Sequence, residues 1–204
     1  MTSLRLAASL SNRHELLVRV LATRDRAGKL IRELECVDPC LLAHGVGVAE
    51  LALQMGPRLG VAGTQLETLC RAALLHDIGK QFVAQEVLDK PGALLAHERQ
   101  LVEGHARVGA SMLVAVGMLS EASIVRHHHE RWDGAGYPDR LHGEAIPLES
   151  RIILVADTFD AMTSDRAYRA ALPHAAALAE IERSAGSQLD PACVAVLCEV
   201  RSAA

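Results

Sequence analysis

A length of 204 residues, half of them apolar, is ample for one domain with a sizeable hydrophobic core. The formal net charge of -4 at pH 7 lacks the basic excess of a DNA-binding protein, although local basic residues could still hold a small phosphate ligand. Aromatic residues make up only 2% of the chain, and alanine, leucine and valine abound, which favours helices packed through small aliphatic side chains. We therefore expect an all-α fold.

Cysteine usage and the distribution of apolar residues predict a cytoplasmic protein. The five cysteines include no Cys-x-x-Cys pair, and each lies in a helix-like apolar pattern, so we expect reduced, buried thiols. They are Cys36, Cys40, Cys70, Cys193 and Cys198. No stretch approaches the roughly 18 consecutive apolar residues of a membrane span, so none is expected.

Residues 1–34 are predicted to form an amphipathic helical extension that precedes a main domain at residues 35–204. Leucine, valine and isoleucine recur there at helical spacing with charged residues between them, and Gly28 is expected to break the helix. The apolar stripe could pack on the main domain, pair with a second copy in a homodimer, or continue from a further domain. The pattern leaves these three alternatives open.

Start and stop signals predict the first two helices of the main domain. An Asp-Pro dipeptide begins the helix that carries His44. Thr64 is the expected N-cap of the next helix, which ends on a His-Asp doublet at residues 76–77. Gly79 is expected to let the backbone turn sharply, which would project Lys80 toward the doublet.

Later helical segments supply further histidines. Residues 94–119 carry His97 and His105, of which His105 is the ligand candidate because His97 lies in a Glu-Arg-Gln segment typical of a solvated face. Residues 121–129 form a helix that ends in three adjacent histidines, before glycines and a proline break it. Imidazole nitrogens cost free energy when they are buried without partners, so packing alone does not explain this cluster. His127 lies on a different helical azimuth from the other two and is not expected to be a ligand.

An apolar helix at residues 148–163 contains two acidic residues. Asp157 and Asp160 are three positions apart and so share one side of the helix. A carboxylate is tolerable there if it binds a metal or caps a neighbouring loop. Arg166 and Arg169 follow this helix directly.

Histidines and carboxylates from separate helical segments could converge inside a helical bundle, where such folds build metal sites. The candidates are His44, His76, Asp77, His105, His128, His129 and Asp157. Nitrogen and carboxylate ligands without thiolates suit Fe, Mn, Zn, Ni or Co, and this many ligands favours two metal ions over one. Such a pair gives a hydroxide suited to attack on a phosphodiester, while Lys80, Arg166 and Arg169 could neutralise the phosphate charge.

Several short motifs follow one another in a fixed order along residues 36–200. They are His76-Asp77-Ile78-Gly79-Lys80, Lys90-Pro91-Gly92, His128-His129-Glu130-Arg131-Trp132-Asp133-Gly134, Gly136-Tyr137-Pro138, Asp157 with Asp160-Ala161, and Arg166 with Tyr168 and Arg169. This set closely resembles the HD-GYP family, a subgroup of the HD-domain metal-dependent phosphohydrolases. The resemblance implies an all-helical HD-domain bundle that hydrolyses the bacterial second messenger cyclic di-GMP to pGpG, GMP or both.

The resemblance also implies roles for individual residues. One metal would be held by His44, His76, Asp77 and Asp157. Asp77 would bridge to a second metal, held with His105, His128 and His129. The substrate phosphates would be met by Lys80, Arg166 and Arg169. Family members use iron or manganese, with nickel or cobalt also seen. Tyr137 lies in the Gly-Tyr-Pro loop, which would line the site and offer a docking surface for a diguanylate cyclase (GGDEF) protein.

Four positions depart from the family pattern. Cys40 stands where some members carry a glutamate that binds a third metal, so we expect two metals here. Arg140 replaces a common glycine after the Gly-Tyr-Pro loop, which puts the choice of substrate in question. Ala106 and Ala167 replace common prolines.

Three hypotheses follow for the function. The first is a binuclear phosphodiesterase in which a metal-bridging hydroxide attacks the phosphorus of cyclic di-GMP. The second is a non-catalytic module that binds a cyclic dinucleotide or a protein partner, and the complete ligand set argues against it. The third is a hydrolase of a related cyclic dinucleotide.

Overall fold

The computed structural model describes residues 13–165 and 170–202, and these residues fold into helices joined by short turns. The helices are α1 (residues 13–21), α2 (Arg26–Val37), α3 (Pro39–Met55), α4 (Thr64–Leu75), α5 (Gln85–Leu88), α6 (Ala96–Glu103), α7 (His105–Ala115), α8 (Leu119–His127), α9 (Leu148–Thr163), α10 (His174–Ser184) and α11 (Pro191–Ser202). Single 3-10 turns occupy Gly56–Leu59, Ile78–Phe82 and Gly143–Ala145. The described residues contain no strand beyond an isolated bridge between Ala185 and Leu189, so the all-α prediction is confirmed.

Side-chain caps explain where the early helices begin. The carboxylate of Asp38 accepts a hydrogen bond from the amide of Leu41 at 2.9 Å, which confirms the predicted start of α3. The carboxylate of Asp25 caps α2 in the same way, through the amide of Gly28 at 3.1 Å. Gly28 therefore lies inside the first turn of α2, and the prediction that it breaks the helix is wrong. The break between α1 and α2 lies at residues 22–25.

The residue that caps α4 also differs from the prediction. Helix α4 begins at Thr64, and its N-cap is Gly63, which has a φ of 57°. Because Thr64 already has helical geometry, its hydroxyl does not cap the first turn, and the predicted N-cap is displaced by one residue.

Helix α3 lies at the centre of the fold. It packs against α4 and α9, with α2 and α11 on further sides. Its apolar residues are therefore buried on several faces, as are those of α9, and both helices contribute to one hydrophobic core. This arrangement brings His44 of α3 close to Asp157 of α9 and to the end of α4.

The N-terminal helices share this core. Leu17 and Val20 of α1, and Ile31 and Leu34 of α2, are almost fully buried in it. Of the alternatives for the apolar stripe, packing on the main domain is therefore the one that the described residues show. The predicted domain boundary after residue 34 falls within α2 and stays a prediction.

The cysteine prediction is wrong at two positions. Cys70 and Cys193 are buried, and Cys198 is partly buried, but Cys36 and Cys40 are exposed near the junction of α2 and α3. The apolar pattern around them belongs to neighbouring residues on the opposite side of the helices. Among the described helices, none combines the length and the apolar character needed to cross a membrane.

Candidate metal centre

All seven predicted metal ligands lie together in the structure, at the ends or on the inner faces of five helices. They are His44 on α3, His76 and Asp77 after α4, His105 at the start of α7, His128 and His129 after α8, and Asp157 on α9. Ligand atoms of Asp77, His105, His128 and His129 all lie within 4.8 Å of one another, as do those of His44, His76 and Asp77. The two groups share only Asp77. Together with Asp157, which contacts His44, they are called the His/Asp cluster below.

The carboxylate of Asp77 separates these two groups. Its Oδ1 lies 3.1 Å from Nε2 of His105 and 3.8 Å from Nε2 of His128. Its Oδ2 lies 3.4 Å from Nε2 of His76 and 3.9 Å from Nε2 of His44. Each oxygen therefore faces a different set of imidazoles, which is the arrangement that a bridging carboxylate requires.

Backbone carbonyls orient three of the imidazole rings. In His76, His105 and His128, Nδ1 donates to the carbonyl oxygen three residues earlier, at 2.8, 2.5 and 2.6 Å respectively. Carbonyls in the last turn of a helix lack intrahelical partners and accept such bonds. Because Nδ1 carries the proton, Nε2 of each ring presents a lone pair toward Asp77. Metal-binding histidines in proteins are oriented by the same kind of bond.

The donors and acceptors in the His/Asp cluster match a cation better than they match one another. Nε2 of His105 and Nε2 of His128 lie 3.3 Å apart, although both are acceptors. Nε2 of His76 and Oδ1 of Asp77 are buried without a hydrogen-bond partner in the described part of the chain. Buried acceptors that face acceptors are costly unless a positive charge lies between them. The residues thus form a cluster that could bind metal.

His44 is held between two carboxylates of α9. Its Nδ1 donates to Oδ2 of Asp160 at 2.7 Å, and its Nε2 lies 3.1 Å from Oδ1 of Asp157. Burial lowers the pKa of His44, but the hydrogen bonds to Asp157 and Asp160 outweigh burial and raise it to about 9. Burial raises the pKa of Asp157, whereas the bond from His44 lowers it, with a net value of about 2. Asp160 therefore orients His44. The sequence alone allowed either metal binding or the capping of a loop for this carboxylate.

We expect Asp160→Ala to weaken metal binding by about 10- to 100-fold, because the orienting partner of a metal-binding histidine is lost. Calorimetric titration with Mn²⁺ would measure this. Asp89→Ala removes an exposed aspartate elsewhere on the chain and serves as the control. Equal affinities in the two variants would contradict the orienting role.

Lys80 lies against the Asp77 carboxylate. Its Nζ donates to Oδ2 of Asp77 at 2.5 Å, from a side chain that is still 27% exposed. Burial raises the pKa of Asp77, but the neighbouring charge of Lys80 holds it well below its usual range. Burial and the neighbouring imidazoles also lower the pKa of His128 well below its usual range, and that of His129 to about 3. Asp77 is therefore ionised, and His128 and His129 are neutral, which are the forms that bind metal.

Gly79 matters for a reason different from the one predicted. The chain does turn there, within Ile78–Phe82, but the φ of Gly79 is not positive, so the turn does not need the left-handed conformation that favours glycine. A Cβ at this position would instead lie 2.1 Å from the carbonyl oxygen of His105 and 2.7 Å from the amide of Gly109. Glycine allows the Ile78–Phe82 turn to touch α7, and this contact brings Asp77 next to His105.

The loop after the histidines is held by the buried carboxylate of Glu130, a motif residue to which the sequence assigned no role in the site. Glu130 is fully buried, and its two oxygens accept hydrogen bonds from the amides of Asp139 at 2.6 Å and Leu141 at 3.1 Å. Gly136 passes so close to this segment that a Cβ would lie 2.3 Å from the amide of Arg131. Which backbone amides Glu130 binds is decided by the path of the loop, so only the fold reveals this function.

Tyr137 lies beside the His/Asp cluster, as expected for the wall of a site. Its ring centroid is 4.9 Å from that of His129, and burial raises the pKa of its hydroxyl. His127 points away from the cluster, and its Nε2 lies 3.0 Å from Oδ2 of Asp139. This agrees with its exclusion from the predicted ligands.

The remaining predicted residues fall outside the site or outside the described residues. His97, the rejected ligand candidate, is exposed on α6. Arg166 and Arg169, predicted to meet the substrate phosphates, lie outside the described residues.

Comparisons with known proteins point to one family. The model of the family described as HD domain matches residues 10–193. A relative named cyclic di-GMP phosphodiesterase response regulator RpfG, from Xanthomonas campestris pv. campestris, is 39% identical over 186 residues, which cover 88% of this chain and 48% of the relative. A relative from Vibrio cholerae named 3'3'-cGAMP-specific phosphodiesterase 3 is 38% identical over 171 residues, covering 83% of this chain and 36% of the relative. The chain thus spans half or less of the length of these relatives.

A solved structure shares the fold. It is titled an HDG"Y"P protein from Bdellovibrio bacteriovorus, and it superposes with a TM-score of 0.68 at 18% identity, covering 96% of this chain and 69% of that one. At this identity the likeness shows the fold alone.

Proposed function

We propose, from the premise that the chain belongs to the HD domain family, that it hydrolyses a phosphodiester bond of cyclic di-GMP. The observation that carries the proposal is the Asp77 carboxylate, whose two oxygens face separate sets of imidazole lone pairs. The name of the relative from Xanthomonas campestris supports the choice of substrate. The products would be pGpG, GMP or both.

The His/Asp cluster would hold two divalent metals, with Asp77 shared between them. His44, His76 and Asp157 would hold one ion, and His105, His128 and His129 the other. Hard and borderline donors of this kind suit iron or manganese, with nickel, cobalt or zinc as substitutes. When bound, the metals would supply a water of lowered pKa and Lewis-acid polarisation of the phosphate. The exposed side chain of Cys40 adds no buried ligand to the cluster.

The protein's own residues would position and neutralise the substrate. Lys80 lies at the edge of the cluster with its ammonium group against Asp77, where it could also face a phosphate oxygen as negative charge develops. Tyr137 would form the wall beside His129 and exclude water from that side. Arg166 and Arg169 are proposed to bind the phosphates.

Incubation of Mn²⁺-loaded or Fe²⁺-loaded protein with cyclic di-GMP, followed by chromatography of the products, tests the proposal directly. We expect turnover, and Lys80→Ala is expected to lower kcat/KM by about 100-fold while keeping the metal, because a cation near the developing charge is lost. Lys29→Ala, a change at an exposed lysine of α2, is the control. Absence of turnover in fully loaded protein would refute the proposal.

A second candidate substrate is 3'3'-cGAMP, which the name of the relative from Vibrio cholerae favours. A panel of cyclic di-GMP, 3'3'-cGAMP and cyclic di-AMP decides between the substrates. Calorimetric binding without hydrolysis would instead favour a non-catalytic module.

Two further proposed interactions are with other protein chains. A diguanylate cyclase would dock on the loop that contains Tyr137. A homodimer would form through the N-terminal helices, where Val18 is 50% exposed while Leu17 and Val20 face the core. Pull-down with a diguanylate cyclase and measurement of molar mass in solution address them separately.

A further inference from the structure

A cavity of about 740 Å³ lies between the end of α6, the start of α7 and the loop at residues 134–140. Its walls include Glu103, Arg107, Tyr137 and Arg140. This volume is within the range of roughly 300 to 1,000 Å³ that is typical of small-molecule sites. The cavity is thus large enough for a nucleobase and its sugar.

Two residues in the wall of the cavity lie next to members of the His/Asp cluster. Gly104 in its wall directly precedes His105, and the ring of Tyr137 lies 4.9 Å from that of His129. A nucleotide whose phosphate lay at the cluster could therefore extend its base into the cavity.

The charged groups in the wall are of both signs. Glu103 and Arg140 have no ion-pair or hydrogen-bond partner for their side chains among residues 13–165 and 170–202. Arg107 is partly engaged, because its Nη2 donates to the carbonyl oxygen of Pro138 at 3.1 Å and so supports the loop. An acceptor-only carboxylate and a guanidinium with several donors are therefore both available to a ligand.

Arg140 is held in an unusual backbone conformation. Its φ is 55°, and within the described part of the chain it is the one residue other than glycine with a positive φ. Residues with a Cβ disfavour this region, which glycine adopts readily. A long cation in a disfavoured conformation at a cavity wall points to binding, because such outliers cluster at ligand sites.

We propose that this cavity is a guanine-binding subsite in which Glu103 and Arg140 read the base. The carboxylate of Glu103 would accept hydrogen bonds from N1–H and the exocyclic amino group of guanine, while the guanidinium of Arg140 would donate to O6 and N7. Adenine offers a lone pair at N1 and lacks the amino group at C2, so Glu103 would repel it. The inference deepens the proposed function, on which it rests for the nucleotide at the cluster.

Equilibrium binding of GMP and AMP to the Mn²⁺-loaded full chain, measured by calorimetry, tests this subsite without requiring hydrolysis. We expect the wild-type protein to prefer GMP. Glu103→Gln is expected to weaken GMP binding by about 5- to 150-fold, the effect of losing one good bidentate base contact. It should also strengthen AMP binding, because an amide can donate to N1 and accept from the N6 amino group. Glu35→Gln makes the same chemical change on an exposed face of α2 and should leave both affinities unchanged.

Arg140→Gly provides a second variant that relieves the backbone conformation while removing the guanidinium. We expect it to lose GMP affinity without losing thermal stability. Equal wild-type affinities for GMP and AMP, or a Glu103→Gln variant that behaves like Glu35→Gln, would overturn the subsite even if cyclic di-GMP is hydrolysed. A preference for GMP that depends on Glu103, in a protein that hydrolyses no cyclic dinucleotide, would support the subsite and refute the proposed function.

Discussion

Asp77→Ala is expected to remove bound metal and phosphodiesterase activity together. Both oxygens of this carboxylate face imidazole nitrogens, on two different sides, so its loss affects both halves of the cluster. Loss of metal catalysis removes several kcal/mol of transition-state stabilisation, which corresponds to roughly 1,000-fold or more in rate. Metal analysis of the purified variant and chromatographic assay of cyclic di-GMP hydrolysis measure the two effects.

Thermal denaturation gives an independent measure of the same change. A metal that binds only the folded protein raises its Tm, so added Mn²⁺ should stabilise the wild-type chain and leave Asp77→Ala unaffected. Asp89→Ala, at an exposed position, should retain the Mn²⁺-dependent rise. An unchanged metal content in Asp77→Ala would contradict the bridging role, whatever its activity.

Gly79→Ala is expected to cause the second large effect, although it removes no ligand. The added Cβ would overlap the carbonyl oxygen of His105, which belongs to the backbone of α7 and cannot rotate away. Overpacking of this kind costs about 1 to 3 kcal/mol, which lowers the Tm of a chain of this size by about 2 to 12 °C. The displaced turn would also separate Asp77 from His105, and a shift of about 1 Å can cost about 100-fold in activity.

Gly60→Ala is the matched control for this substitution. Gly60 has a φ of 86°, and a Cβ there would meet nothing within 4 Å. The control therefore carries conformational strain of about 1 to 2 kcal/mol without displacing a neighbour. It should lower Tm but leave metal content and kcat/KM at wild-type values. If Gly79→Ala behaved in the same way, close packing against α7 would not position the cluster.

Helix periodicity predicted most of the helices because the signals that form a helix are local in the sequence. Helix α9 occupies the predicted residues, and α3 begins at the predicted Asp-Pro dipeptide, since apolar spacing and capping act within a few residues of the chain. Errors occurred where two local signals compete. Gly28 looked like a helix breaker, but the carboxylate of Asp25 binds its amide and begins the helix there.

Residues that act on distant parts of the chain were harder to interpret from sequence. Glu130 lies in a charged segment, yet it is buried because it accepts hydrogen bonds from the amides that follow the Gly-Tyr-Pro loop. The exposure of Cys36 and Cys40 likewise depends on which sides of α2 and α3 meet their neighbours. Neither property follows from residue type or spacing.

The sequence by itself determined the helical class, the family and the identity of the seven candidate ligands, because these depend on composition, periodicity and short motifs. Only the tertiary structure decided how the candidates face one another. It placed the two oxygens of Asp77 toward different imidazoles, assigned Asp160 to His44, and showed that Gly79 allows contact with α7. These relations join segments that are far apart along the chain, and distances between packed helices are set by the whole core.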